Sequence, residues 1–349
     1  MKLTYRTRRR LQHLAIGLLV LVLVAVVAWM VWIIWLDRYV VYSRDGAEIN
    51  FTLPIDDMEG IVAVRPTQGE TVPIFYNDGE NAVSTSTELT QLVGYYADTE
   101  ALRKSVSEVR RQIDTLPAGT AVMLDMKNIS GYFHYSTKVG DGLSSSVDID
   151  AVDELISYLK TKNLYTIARI PAFQEYHYFM GGGGNRNLSH GLATSRGYLW
   201  VDDQRCYWMS PSSNGTLTYL IQIIMELRDL GFDEVVLDGF QFPSTKDIAY
   251  KGDRAEALGT AAQKLVESCA TDSFAVSFSP SSASFVLPEG RCRMYLTNLD
   301  AGKIQDAVAT ANMEDPMTYL VFVTETLDTR FNDYSVMRPL SSAHFDEAE

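Results

Sequence analysis

Three acidic residues stand where a short apolar run gives out: Asp125 after residues 121–124, Asp238 after Val235-Val236-Leu237, and Glu325 after the run at 318–324. A carboxylate at the C-terminal end of a buried strand is held by rigid backbone and faces an open loop region, which is where parallel barrels keep their acids, bases and nucleophiles. The same position also suits a turn, a helix cap or a salt bridge to the next loop. Asp238 is the first choice for nucleophile or base. Asp125 has Lys127 and Arg169 as prospective partners in a structural ion pair, and such a partner would lower its pKa. A general acid needs the opposite, a carboxyl raised by burial or by a like charge. Glu175, Asp202, Asp203, Asp300 and Glu325 are the remaining acid candidates, with Glu325 the best placed of them.

These residues are spaced by a regular alternation. From about residue 91, strand-length apolar runs at 92–96, 121–125, 164–170, 234–238, 273–279, 293–297 and 318–324 alternate with helical patterns. Leu102, Val106, Val109 and Ile113 make one helical stripe, and Val152, Leu155, Ile156 and Leu159 a second. Leu217, Leu220, Ile221, Ile224 and Leu227 make a third, ended by Gly231, and Leu258, Ala262, Leu265 and Cys269 a fourth. Asp148 or Asp150 caps the second helix. Repeated βα alternation predicts an α/β fold, a (β/α)8-type TIM barrel over residues 91–349. Seven strands are visible where closure needs eight. One strand is irregular, or residues 60–64 supply it, or the barrel is incomplete. An open doubly wound sheet is the alternative, but no glycine-rich phosphate loop follows the first strand.

Ahead of the barrel the chain changes character twice. Residues 14–36 are 23 uncharged, almost wholly apolar residues, enough at 1.5 Å per residue to cross a hydrocarbon core of about 30 Å. Arg8, Arg9 and Arg10 precede them, in a basic tail spanning residues 1–13, and Trp29, Trp32 and Trp35 crowd the far half. The positive-inside rule keeps the tail cytoplasmic and puts everything after the helix outside the cell membrane, as a single-pass anchor. A cleaved signal peptide would have a shorter apolar core ending at small residues. Residues 37–90 read as a small β-rich neck and linker, opened by two strands about an Asp45-Gly46 turn and followed by strand candidates at 60–64 and 72–76. The net charge of −14 argues against nucleic acid as a partner.

The insertion between the third strand and third helix holds Phe173, Tyr176, Tyr178, Phe179, Tyr198, Trp200, Tyr207 and Trp208. Rings of this kind form either apolar platforms with polar edges, as sugar rings require, or a satellite cluster fastening the loop. The glycine run 181–184 lacks a preceding strand and a following helix, so it reads as a loop tip and not a phosphate cradle. His134, His177 and His190 lack metal-ligand spacing and read as loop or surface residues. Cys206, Cys269 and Cys292 form no disulfide framework, although a bridge between Cys269 and Cys292 is compatible with neighbouring strands. No metal site and no cofactor fingerprint is expected. Sequons at Asn128, Asn187 and Asn214 read as chance in a bacterial chain.

The runs Val122-Met-Leu-Asp-Met-Lys-Asn through Tyr135, Tyr165 to Phe173, Tyr198-Leu-Trp-Val-Asp202 and Gly231 to Pro243 resemble the glycoside-hydrolase-like barrel domains of bacterial envelope and secreted proteins, over roughly residues 91–250. The resemblance implies a (β/α) barrel acting on a glycan, with Asp125, Lys127, Arg169 and Asp238 facing the site. It also marks departures. Asn128, Ser210 and Gln241 stand where members of the family usually carry an acid, an acid and an arginine, and the run Ala275-Val-Ser-Phe-Ser-Pro280 stands where they often carry an acid at the strand end. The expected site is Asp238, Asp125 and Glu325 for catalysis, with Lys127, Tyr132, Arg169, Trp200, Asp202, Trp208, Phe240 and Gln241 binding a polysaccharide. The competing expectation is an inactive barrel that binds sugar or serves as a scaffold.

Overall fold

The computed structural model describes residues 40–43, 46–49, 88–140, 142–181 and 188–343, and Trp29. The anchor expected at residues 14–36 lies outside the described residues except for Trp29, and so do the neck candidates at 60–64 and 72–76. Among the described residues no helix is long and apolar enough to cross a membrane. The chain divides into two compact units, residues 1–82 and 83–349. In the first, Val40–Ser43 and Gly46–Ile49 form an antiparallel hairpin. Ser43 pairs with Gly46, so Gly46 opens the second strand instead of sitting in the turn expected of Asp45-Gly46.

The second unit is built on eight parallel strands closed into a barrel. They are β1 (Val93–Ala97), β2 (Ala121–Asp125), β3 (Tyr165–Pro171), β4 (Glu234–Asp238), β5 (Ala275–Ser279), β6 (Met294–Thr297), β7 (Leu320–Val323) and β8 (Ser335–Pro339). Each pairs with its neighbours in chain order, and β8 closes the ring on β1 through Val336–Val93 and Pro339–Tyr96. The barrel is therefore complete and needs no strand from the neck, which corrects the expectation of an irregular or incomplete one. Its eighth strand reads Ser-Val-Met-Arg-Pro, too polar to announce itself by an apolar run.

Side chains along each strand divide between two cores, as strand alternation requires. Met123, Ile167, Val236, Tyr295, Val321, Val323 and Met337 fill the barrel interior. Val122, Leu124, Ala168, Ile170, Val235, Leu237, Val276 and Phe278 point outward and pack beneath the helices. Near the N-terminal ends the interior turns polar: the carboxylate of Glu234 accepts from Tyr165 Oη at 2.9 Å, Arg293 Nη1 at 2.6 Å and Tyr295 Oη at 2.9 Å. Both charged groups are buried, so each stands only because the other is there.

The helices follow the predicted stripes, with one break. The stripe from Leu102 to Ile113 is two helices, α1 (Thr99–Lys104) and α2 (Val106–Ile113). Ser105 divides them: its N–H closes α1 on Ala101 O, and its hydroxyl caps α2 by accepting from Glu108 N. Asp148 caps α3 (Ile149–Leu159), Ser213 caps α5 (Asn214–Asp229) and Asp253 caps α6 (Arg254–Cys269); the one-turn α4 (His177–Met180) lies in the insertion. Each cap is worth about 1 kcal/mol. Gly231, at φ +89°, supplies the left-handed residue past the end of α5 and feeds the chain into β4.

Candidate active site

Asp125 and Asp238 are each the last residue of a strand whose other residues are buried. Strand register places Asp125 beside Arg169, and Asp238 between Pro171 and Ser279. The two carboxylates differ in what already holds them. Asp125 Oδ1 accepts from Arg169 Nε at 2.6 Å, while its Oδ2 accepts from Thr99 N at 2.8 Å and Thr99 Oγ1 at 3.2 Å. It is thus tied to the neighbouring strand β3 on one side and to the first residue of the helix after β1 on the other. The half-buried Asp238 takes no side-chain hydrogen bond from any described residue, while its main-chain carbonyl accepts from Ala172 N at 2.8 Å. Burial opposes the charge of Arg169, but Asp125 and Asp238 outweigh it and raise the guanidinium pKa above its ordinary value.

Two more groups converge on this end of the barrel. Tyr96, the inward residue near the end of β1, lies with its ring 5.5 Å from the Arg169 guanidinium carbon. Burial pushes its phenol up, and the charge of Glu325 adds to this ahead of those of Asp98 and Asp125. Glu325 is therefore close enough to be felt across the mouth, although its own side chain is exposed. Tyr96 was not among the expected site residues. The rule that found Asp125 and Asp238, the last inward position of an apolar run, would have found it too.

Several expected sugar contacts lie elsewhere. Lys127 is buried in an ion pair with Glu175, between the rings of Phe133 and Tyr219 at 5.5 and 5.8 Å, and only 3% of it is exposed. Gly131, at φ +90°, makes room for that pair, since a Cβ there would collide with the Glu175 carboxylate. Phe240 is fully buried against Phe173 and Phe278, with centroids 4.9 and 4.7 Å away. Trp208 is buried, and its indole N–H donates to Asp202 Oδ2 at 2.8 Å. Asp202 also accepts from Gln174 Nε2, Cys206 N and Gln204 N. Partial burial works against these bonds, but they prevail and hold its carboxyl below the ordinary range, which does not suit an acid. Trp200 is half-buried, edge-on to Trp208 with centroids 6.3 Å apart. Tyr132 is half-buried beside His177, and Gln241 half-buried on the loop after β4.

His134 is not a surface residue. Its ring is fully buried behind Asp125, with Nδ1 donating to Asp125 O at 2.8 Å, and burial lowers its pKa, so the ring is neutral. His190 is half-buried and bonded to Tyr178 Oη at 2.7 Å. Of the glycine run, Gly181 alone is described. The three cysteines are buried free thiols, so Cys269 and Cys292 form no bridge. A cleft of about 720 Å³ opens at the opposite, N-terminal end of the barrel, lined in part by Leu92, Asn163, Asp233 and Arg291. Its Asp233 is committed to Thr166 N and Oγ1, and parallel barrels conduct chemistry at their C-terminal ends, so the mouth around Asp238 is the better candidate.

No curated protein matches the chain. Among solved structures, similar ones include a hypothetical protein from Ruminiclostridium thermocellum, at 19% identity and a TM-score of 0.43, over 53% of this chain and 96% of that one. Another is a variant of the glycoside hydrolase domain of PelA from Pseudomonas aeruginosa, at 13% identity and 0.43, over 72% and 96% of the two chains. An inactive mutant of an exo-β-N-acetylglucosaminidase of glycoside hydrolase family 20 from Vibrio harveyi gives 10% and 0.47, over 71% of this chain and 50% of the other. The model of one protein family matches residues 96–273, from the end of β1 to the turn before β5 and just over half of the chain. The chain accordingly belongs to the DUF4015 family, described as "Putative glycosyl hydrolase domain".

Proposed function

We propose that this chain is a membrane-anchored glycoside hydrolase that acts outside the cell on a polysaccharide of the envelope or its surroundings, with Asp238 as its main catalytic carboxylate. The observation that carries the reading is the contrast between two strand-end acids. Asp125 is consumed by Arg169 and Thr99, whereas no described residue donates to the Asp238 side chain, leaving it for a substrate. Residues 14–36 anchor the chain, and the basic tail keeps its N-terminus in the cytoplasm.

Glycoside hydrolysis normally uses two carboxyl groups. Glu325 is the partner this mouth offers, three strands from Asp238 around the ring. Eight strands spaced ~4.8 Å and tilted ~36° close a ring of radius about 7.5 Å, so three steps span roughly 14 Å between backbones. Side chains reaching inward from both walls narrow that gap toward the ~6.5–9.5 Å of an inverting pair. Asp238 is then the base that activates water, and Glu325, buried by the bound glycan, protonates the leaving oxygen.

A second reading is favoured by one specific observation. Glu175, Asp125 and Asp202 are all engaged by protein donors, so the mouth offers one unengaged strand-end carboxylate and one exposed acid. A barrel reduced in this way would bind glycan without cutting it. Asp238→Asn tests the first reading, with reducing-end release from a polysaccharide panel as readout. The expected result is a loss of at least about a thousand-fold, with unchanged circular dichroism and retained binding. Full turnover by the variant would refute the role of Asp238, and a wild type that binds but never hydrolyses would establish the second reading.

A further inference from the structure

The rings of the insertion after β3 have two different fates. Phe173, Phe179 and Trp208 are buried and fasten the loop to the barrel. Tyr198 is 72% exposed, although the arm that carries it is well fixed. Thr194 N–H donates to Tyr198 O and Trp200 N–H to Leu192 O, both at 2.8 Å, and Gly197 at φ +81° makes the turn between the strands of the arm. Trp200 follows two residues later, about 7 Å along extended chain, half-buried and edge-on to Trp208.

This arm adjoins the loop that begins at Asp238. Thr194 pairs with Ile248, and Ala249 N–H donates to Ala193 O at 2.8 Å, so the arm is hydrogen-bonded to the β4 loop. At the near end of the same insertion, Gln174 donates to Asp202 at 2.8 Å, while its Oε1 lies 4.0 Å from where a Cβ on Gly239 would stand. The exposed rings thus continue the rim of the mouth. Apart from Val201, which is 43% exposed, their exposed neighbours in the chain are polar: Ser195, Arg196, Asp203, Gln204 and Arg205. A protein interface would call for a contiguous apolar patch of several hundred Å². Separate rings with polar edges suit the alternating apolar faces and hydroxyl rims of sugars.

We propose that Tyr198 and Trp200 form a distal glycan platform that takes successive sugar rings of an extended chain running out from Asp238, so that the ligand is a polysaccharide and not a mono- or disaccharide. The inference rests on the glycan reading above. Its test is affinity electrophoresis of the full-length chain in mild detergent, in an Asp238→Asn background that removes turnover, through native gels cast with glycol chitin, mixed-linkage glucan or pullulan.

The parent should be retarded by at least one polymer and not by the matching disaccharide at equal sugar concentration. Tyr198→Ala should weaken the retardation on the order of ten-fold, the ~1.4 kcal/mol that covering about 55 Å² of ring face is worth. Tyr198→Trp should restore it, which a merely structural role would not predict. Trp200→Ala should act in the same direction. Retardation unchanged in Tyr198→Ala overturns the platform alone and leaves the glycan reading standing. Retardation by no polymer overturns both. A self-association in analytical ultracentrifugation that Tyr198→Ala abolishes would overturn the platform in favour of a second copy of the chain.

Discussion

The pair formed by Lys127 and Glu175 gives the sharpest test of how this barrel uses its charges. Their side chains are 1% and 0% exposed, so removing one partner leaves the other buried and uncompensated. Breaking such a pair costs about 3–5 kcal/mol. For a domain of this size that lowers the melting temperature by about 6–20 °C, at about 2–4 °C per kcal/mol. Lys127→Met keeps most of the volume and the contacts with Phe133 and Tyr219. Glu175→Gln keeps an acceptor for the Tyr178 N–H that Glu175 now receives at 3.3 Å. Each single variant should fall by that amount, while the double variant should lie within about 2 kcal/mol of the parent, giving a coupling of at least about 4 kcal/mol. Urea unfolding followed by circular dichroism measures the cycle, and polysaccharide affinity is measured on the same proteins. Affinity should hold in Lys127→Met, because the ammonium does not reach the mouth. A Lys127→Met chain as stable as wild type but unable to bind glycan would refute the burial argument and return Lys127 to the sugar.

Three further outcomes test the mouth and the insertion beside it. Proton NMR of the first products should show inverted anomeric configuration, and Glu325→Gln should slow turnover about a hundred-fold or more on substrates with poor leaving groups; retained configuration would rule out the Asp238–Glu325 pairing. Ser279→Asp places a carboxylate in register beside Asp238. It should slow a Glu325-dependent enzyme by repelling the charge on Asp238, and a gain of turnover would show instead that the barrel lacks its acid at that strand end. Asp202 has a folded pKa lowered from about 3.8, so the stability it contributes is present above about pH 3.8 and is lost as pH falls through the lowered value. Tryptophan emission from Trp208 should therefore shift in that acid window in wild type and not in Asp202→Asn; identical titrations would refute the assignment.

Much of the scaffold was legible because parallel strands buried on both faces appear as unbroken apolar runs and the helices between them keep a 3.6-residue stripe. Seven barrel strands and the four helical stripes lie where those patterns put them, while the helix Ile304–Ala311 is not among the stripes. The eighth strand was hidden by Ser335, Arg338 and Pro339, which are set there by pairing with β7 and β1 and not by local propensity. Site residues were legible only as far as the strand ends. Strand alternation would put Phe240 on the same side as Asp238, but Gly239 at φ +63° bends the chain, and Phe240 turns to donate its N–H to Ser279 O and bury its ring outside the barrel. Lys127 fails in the same way two residues past Asp125, where it pairs with Phe133 in a tight loop. Past a strand end, loop geometry decides direction, and a single sequence carries little of it.

The positions that the sequence resemblance marks as departures acquire physical meaning in that geometry. Asn128 accepts Tyr132 N–H at 3.0 Å, a turn bond that an aspartate would make equally well, so the amide removes charge and leaves the loop intact. Ser210 donates its N–H to His190 O and accepts Ser213 N–H through its own carbonyl, work that its side chain does not share. Ser279 is different, because it lies directly beside Asp238 and is 5% exposed, with its hydroxyl 3.5 Å from that of Thr297. An acid there would stand one strand spacing, about 5 Å, from Asp238, the separation of a retaining pair. On the proposed reading, with serine in its place, the second carboxyl comes from across the ring, from Glu325. The departures therefore alter the partner available to Asp238 and leave the strand that presents it unchanged.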